Sequence, residues 1–256
     1  MRTIKTSILQ ALTGRSFLVA AAGTALVLLL SSIQGVLEGL RMDGLLQFGY
    51  HSDLIEQALL GDGMTLALPI LAALPYTAAI VDDVKSGFYK LYLPRTTIGK
   101  YLAGKVIACA LAGGLALLVG VAVAWGACAL MFLPKELPPA VVDSAGNAIK
   151  YISPIWGKLL LSFASGAFWA TIGLLLATLT MSRYMAYASP FVIYYVLIIL
   201  YERYFDFLYV FYPKEWLAPS YLWDYGNFGV LLLVGELTVI AGICAGLAGR
   251  RRLSGG

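Results

Sequence analysis

VIACALAGGLALLVGVAVAWGACALMFL, residues 106–133, runs for 28 residues without a charged side chain. A helix rises about 1.5 Å per residue and the hydrocarbon core of a bilayer is roughly 30 Å thick, so about 20 apolar residues complete a crossing. Five further stretches meet that requirement, at 16–37, 63–81, 159–182, 184–201 and 227–249, the last interrupted only by Glu236. A mean hydropathy of +0.83, with 60% hydrophobic and 12% charged residues, excludes a soluble domain of this length. The expected architecture is an all-α integral membrane protein, a single transmembrane domain over residues 1–256 with six spans.

Charges between the spans set the orientation, because lysine and arginine near helix ends are retained on the cytoplasmic side. Arg2, Lys5 and Arg15 precede span one, and Lys85, Lys90, Arg95, Lys100 and Lys105 fill the junction after span two. Arg183 follows span four, and Arg250, Arg251 and Arg252 follow span six. These make 12 of the 18 basic residues, while 11 of the 14 acidic ones fall in the alternate junctions. Both termini and Ser86 are expected in the cytoplasm, with Ser52, Asn147 and Ser220 outside. Ala20 to Ala22 resemble a cleavage region, but cutting there would leave too short an apolar core after Arg15, so span one is expected to be an anchor.

Several chemistries are missing their residues. The sequence holds no G-x-x-x-x-G-K-[ST] run that would cradle nucleotide phosphates. It has one histidine, too few for a histidine-based metalloprotease. Cys109, Cys128 and Cys244 all fall within spans, which leaves no extracellular disulfide framework. Asp43-Gly44 and Asp62-Gly63 lack the further aspartates of a phospholipid head-group transferase motif. The net charge of +4 is the topology signal and gives no reason to expect nucleic acid as a partner.

The junctions differ in character. His51, alone beside Tyr50 and Phe48, reads as an ordinary surface residue. Residues 141–152 read as two short strands around Ser144-Ala145-Gly146-Asn147, a small extracellular β-hairpin. Glu202 to Asp224 carries nine aromatic residues cut by Pro213 and Pro219, either an aromatic belt at the headgroups or an external lid over a pathway. Between spans two and three, Val84, Phe88, Leu91 and Tyr92 recur at i, i+4, i+7 and i+8. That spacing predicts one amphipathic helix over 84–93, capped by Asp82 or Asp83 and ended by Pro94. Such a helix either rests on lipid headgroups or docks a cytoplasmic partner.

These features together resemble the permease subunits of type-2 ATP-binding-cassette exporters. The local match is Leu68-Pro69 through Ala73-Leu74-Pro75, then Asp82-Asp83-Val84-Lys85-Ser86-Gly87-Phe88, then Arg95-Thr96-Thr97-Ile98-Gly99-Lys100-Tyr101-Leu102-Ala103-Gly104-Lys105. An acidic pair, a small residue plus glycine, an arginine and a lysine recur in this order in that family, commonly with glutamate where this chain has aspartate. The resemblance implies a bacterial plasma-membrane protein that dimerises with itself or a similar subunit and binds two copies of a separate ATPase. It implies that 84–93 is the coupling helix, with Asp82, Asp83, Lys85, Gly87, Phe88 and Leu91 meeting the ATPase, and that Met1 to Thr13 is an interfacial connecting helix. ATP and Mg would sit on the ATPase, so this chain would bind no cofactor and would not itself be an enzyme.

Within the spans, Tyr187, Phe191 and Tyr194 or Tyr195 share one face of span five. That face lines a pathway for an amphipathic peptide, antibiotic or lipid-like cargo, or it packs as core. Glu236 is costly at its depth unless neutral or paired, and serves either as a structural hydrogen-bonding group or as a cargo contact. Pro69, Pro75 and Pro190 can kink spans two and five. Small residues at Ser162, Gly166, Ala170, Gly173 and Ala177 on span four, and at Gly242 and Gly246 on span six, allow close helix approach within the chain or in a dimer. The rivals are a membrane-embedded lipid-modifying enzyme or scaffold, which would need a polar cluster inside the spans, and a secondary transporter, which would show more intramembrane ionisable residues.

Overall fold

The computed structural model describes residues 2–42, 44–92, 96–137, 155–205, 207, 209–217, 219, 223 and 225–254. Its helices, in chain order, are α1 Arg2–Thr13, α2 Arg15–Ser31, α3 Ile33–Arg41, α4 Tyr50–Leu60, α5 Asp62–Ala73, α6 Ala79–Lys85, α7 Phe88–Tyr92, α8 Ile98–Phe132, α9 Ile155–Thr180, α10 Arg183–Arg203 and α11 Gly226–Ser254. The described residues contain no strand, only an isolated bridge between Leu46 and Glu136. The expected hairpin over 141–152 lies outside the described residues.

Helices α8, α9, α10 and α11 are each long and apolar enough to cross a bilayer. Two bent pairs raise the number to six if each pair is one span: α1 with α2, at 52°, and α4 with α5, at 72°. The bends fall at Gly14 and Gly61, whose extended backbones interrupt the helical path. Helix α8 starts eight residues before the expected boundary at 106, because a charge such as Lys105 limits burial in lipid but does not stop a helix. Span two is not continuous over 63–81. It breaks after Ala73, where Pro75 supplies no N–H and crowds the preceding turn, and resumes at Ala79. Pro69 and Pro190, by contrast, sit inside α5 and α10.

Helices α8 and α9 form the centre. Helix α2 packs on α8 and α5, α10 on α9 and α5, and α11 on α9 and α8. Two-thirds of the apolar window of α9 is buried, against 22% for α11, which places α11 at the periphery. The small residues of span four are spent inside the chain. A Cβ added at Gly113 would come within 2.8 Å of the Gly166 carbonyl, and one at Gly166 within 2.7 Å of the Gly113 carbonyl. Only hydrogen at both positions lets the α8 and α9 backbones meet this closely, where dispersion rather than water exclusion holds membrane helices together. On α11, Gly242 closes against Val106 while Gly246 faces open space.

Candidate functional site

The predicted helix over 84–93 is instead two helices meeting at an elbow. Helix α6 ends as the Ser86 N–H bonds to the Asp82 carbonyl at 2.9 Å, and Gly87 follows with φ of +73°. Side chains are strained at that φ, so glycine turns the chain there and α7 starts in a new direction. Apolar periodicity persists through such a turn, and for that reason spacing alone read one helix. Neither aspartate caps a helix start, because α6 already begins at Ala79.

Behind the elbow lies a buried polar cluster. Lys105 Nζ sits 2.8 Å from Asp83 Oδ2, and the Tyr101 hydroxyl donates to the same oxygen at 2.5 Å. Lys105 also donates to the Tyr76 hydroxyl at 3.0 Å, and Tyr76 donates to Gln10 Oε1 at 3.1 Å. The ammonium lies over the Tyr76 and Tyr101 rings, 5.0 and 5.8 Å from their centroids. Lys105 is only 5% exposed, so these partners stand in for its water shell. Asp82 turns the other way to pair with Arg183 at the start of α10, with both side chains largely exposed. Arg252 near the end of α11 donates to the Leu179 carbonyl near the end of α9 at 2.7 Å. The junction after span two, the start of α10 and the end of α11 therefore gather at one end, here called the basic end.

The sequence-selected coupling residues divide by environment. Asp83 is held inside and Asp82 is paired at the surface. Lys85 is exposed, Phe88 is 45% exposed, and the Leu91 side chain lies outside the described residues. Val84 and Tyr89 pack against an apolar cluster that contains Ile80 of α6, Tyr101, Leu102 and Cys109 of α8, and Ala170 and Leu174 of α9, so both arms of the elbow rest on the bundle. Tyr76, Tyr101 and Gln10 were not singled out from the sequence. The i, i+4 spacing of Tyr101 and Lys105 was the available signal, since it puts both on one face of α8.

At the opposite, acidic end, His51 is not a surface residue. It is 6% exposed, with Nδ1 2.6 Å from Glu136 Oε1. Glu136 also accepts the backbone N–H groups of His51 at 2.8 Å and Gly49 at 3.1 Å, which caps the first turn of α4. Trp125 Nε1 donates to Ser52 Oγ at 3.1 Å beside this pair. The aromatic junction before α11 folds partly inward. Trp216 is 1% exposed, stacks on Trp169 at 5.8 Å and meets Phe168 edge-on at 5.1 Å, while Tyr204 and Phe207 stay exposed. Tyr212 stacks on Tyr201 at 4.2 Å and donates to Glu202 at 3.1 Å. Burial first, and then the hydrogen bond to this carboxylate, push the Tyr212 phenol above its ordinary pKa.

The candidate pathway residues part company. Tyr194 is fully buried against Trp169 at 5.2 Å, whereas Tyr195 pairs with Phe191 at 4.8 Å and Tyr187 is exposed toward the basic end. Glu236 is exposed on α11 among Leu232, Val239 and Ile240, with no hydrogen bond or ion pair among the described residues. Those residues also contain no cluster of three or more histidine, cysteine or acidic groups suited to a metal. No family model, curated protein or solved structure matches the chain.

Proposed function

We propose that this chain is the permease subunit of an ATP-driven exporter, receiving a separate ATPase at its basic end and moving an amphipathic cargo. The observation that supports this reading is the mounting of the α6–α7 elbow. Its inner arm is tied to α8 through Asp83 and Lys105, from Lys105 on to α1 through Tyr76, which precedes α6, and Gln10, and to α10 through Asp82 and Arg183. Its outer arm presents Phe88 and Lys90 at the surface. A push on α7 is thus delivered to three other helices at once. The proposed orientation has six spans with both termini in the cytoplasm, and the permease acts as a dimer.

Purification in mild detergent from the native source tests the reading, with an ATPase chain expected to accompany the wild-type protein. Covering the exposed part of Phe88 contributes about 1 kcal/mol, and an aspartate there adds the cost of burying a charge. Phe88→Asp should therefore lower ATPase retention about tenfold or more while membrane insertion is unchanged. If α7 merely rests on lipid, the variant keeps its ATPase and only the loop leaves the membrane surface. Full retention with normal ATP-driven export overturns the coupling role.

A further inference from the structure

Helices α8 and α11, with Thr171 of α9 between them, line an apolar groove of about 490 Å³. Its walls are Leu102, Val106 and Ile107 on one side and Thr238, Ile243 and Leu247 on the other, and it reaches Arg250 at its mouth. That volume falls within the roughly 300–1,000 Å³ of pockets that enclose a ligand. Thr238 and Arg250 are 12 residues apart on one helix, a rise of about 18 Å, so the groove runs from headgroup level to about mid-bilayer. At the mouth it joins a second, more polar recess formed by Thr96, Thr97, Ile98, Gly99 and the same Arg250. The guanidinium makes no ion pair among the described residues, whereas nearby Arg252 is engaged with the Leu179 carbonyl.

We infer that the groove is a binding site for one anionic glycerophospholipid from the leaflet at the basic end. One acyl chain lies between α8 and α11, and the phosphate meets Arg250 beside the Thr96 and Thr97 hydroxyls. Three features select this occupant. The cavity is itself amphipathic, with Arg250, the one charged group among its described lining residues, where a headgroup sits. Its length matches one leaflet. The charge is a guanidinium, which binds phosphate in bidentate fashion. The inference rests on the groove and its mouth and holds whether or not an ATPase binds at the elbow.

Native mass spectrometry of the full chain tests it, after delipidation and incubation with phosphatidylglycerol or phosphatidylcholine of equal chain length. The wild-type protein should retain one phosphatidylglycerol per chain in preference to phosphatidylcholine. Arg250→Gln should reduce that preference roughly fivefold, the effect of one basic residue at an anionic membrane surface. Arg251→Gln, next along the helix but outside the groove, should leave the preference intact. A Cβ at Gly246 meets nothing within 4 Å, so Gly246→Leu fills the groove without disturbing the bundle and should abolish retention of either lipid. Ala103→Leu does the same from the α8 wall and stands in if the first variant unfolds. Equal retention of the two lipids by wild type means ordinary boundary lipid and overturns the proposal. So do equal effects of the two arginine variants, and a dimer mass that carries no lipid, which would mean that a second copy fills the groove.

Discussion

Asp83 and Lys105 form the ion pair whose loss should be felt most, with side chains only 15% and 6% exposed. Two charges removed from water this far are held by each other and by the Tyr76 and Tyr101 hydroxyls, so deleting one strands the other. Lys105→Met should cost about 3–5 kcal/mol and lower the unfolding temperature in detergent clearly. Asp83→Asn combined with Lys105→Met should recover part of that loss, because no charge is then left unpaired. Arg183→Gln breaks the exposed pair with Asp82 and should shift stability by less than about 1 kcal/mol. Tryptophan-fluorescence melts of the four proteins check all three statements. An unchanged melt for Lys105→Met would show that water reaches the cluster.

Among the elements, the elbow and α4 depend on single residues in different ways. Gly87 has room for a side chain but not the backbone for one, since nothing lies within 4 Å of its Cβ position while φ is +73°. Gly87→Ala should therefore cost about 1–2 kcal/mol of local stability, and Gly87→Asn less, because asparagine tolerates the left-handed region. Limited proteolysis between α6 and α7 should follow the order alanine, asparagine, glycine in rate. Helix α4 is instead stabilised at its start by a carboxylate 85 residues away in sequence from His51. Glu136→Gln keeps the shape but weakens charge-assisted bonds to two backbone N–H groups and to His51. A loss of about 1–3 kcal/mol is expected, with faster hydrogen exchange confined to the first turn of α4. Uniform exchange across the bundle would mean that Glu136 is not a cap.

At the scale of the whole molecule, Asp83, Lys105, Arg183 and Arg252 meet at one end and Gly49, His51 and Glu136 at the other. Single cysteines in a background lacking Cys109, Cys128 and Cys244 test which end faces the cytoplasm. Leu45→Cys should react with an impermeant thiol reagent in intact cells, and Ser86→Cys only after the membrane is opened. Leu45 is 69% exposed and serves better than Ser52, which is buried and bonded to Trp125 and would stay silent for a reason unrelated to topology. Labelling of Ser86→Cys in intact cells would invert the assignment. The sequence alone determined the helical membrane class, because partition into a bilayer depends on the summed apolarity of about 20 consecutive residues, a local property. The small residues of α9 were legible for the same reason, as spacing on one helix. Only tertiary structure decided that Asp83 points inward and Asp82 outward, that Gly87 breaks the amphipathic run, that Trp216 enters the core and that His51 is buried. Each of these depends on a partner far along the chain or on a backbone dihedral, neither of which hydrophobic periodicity registers.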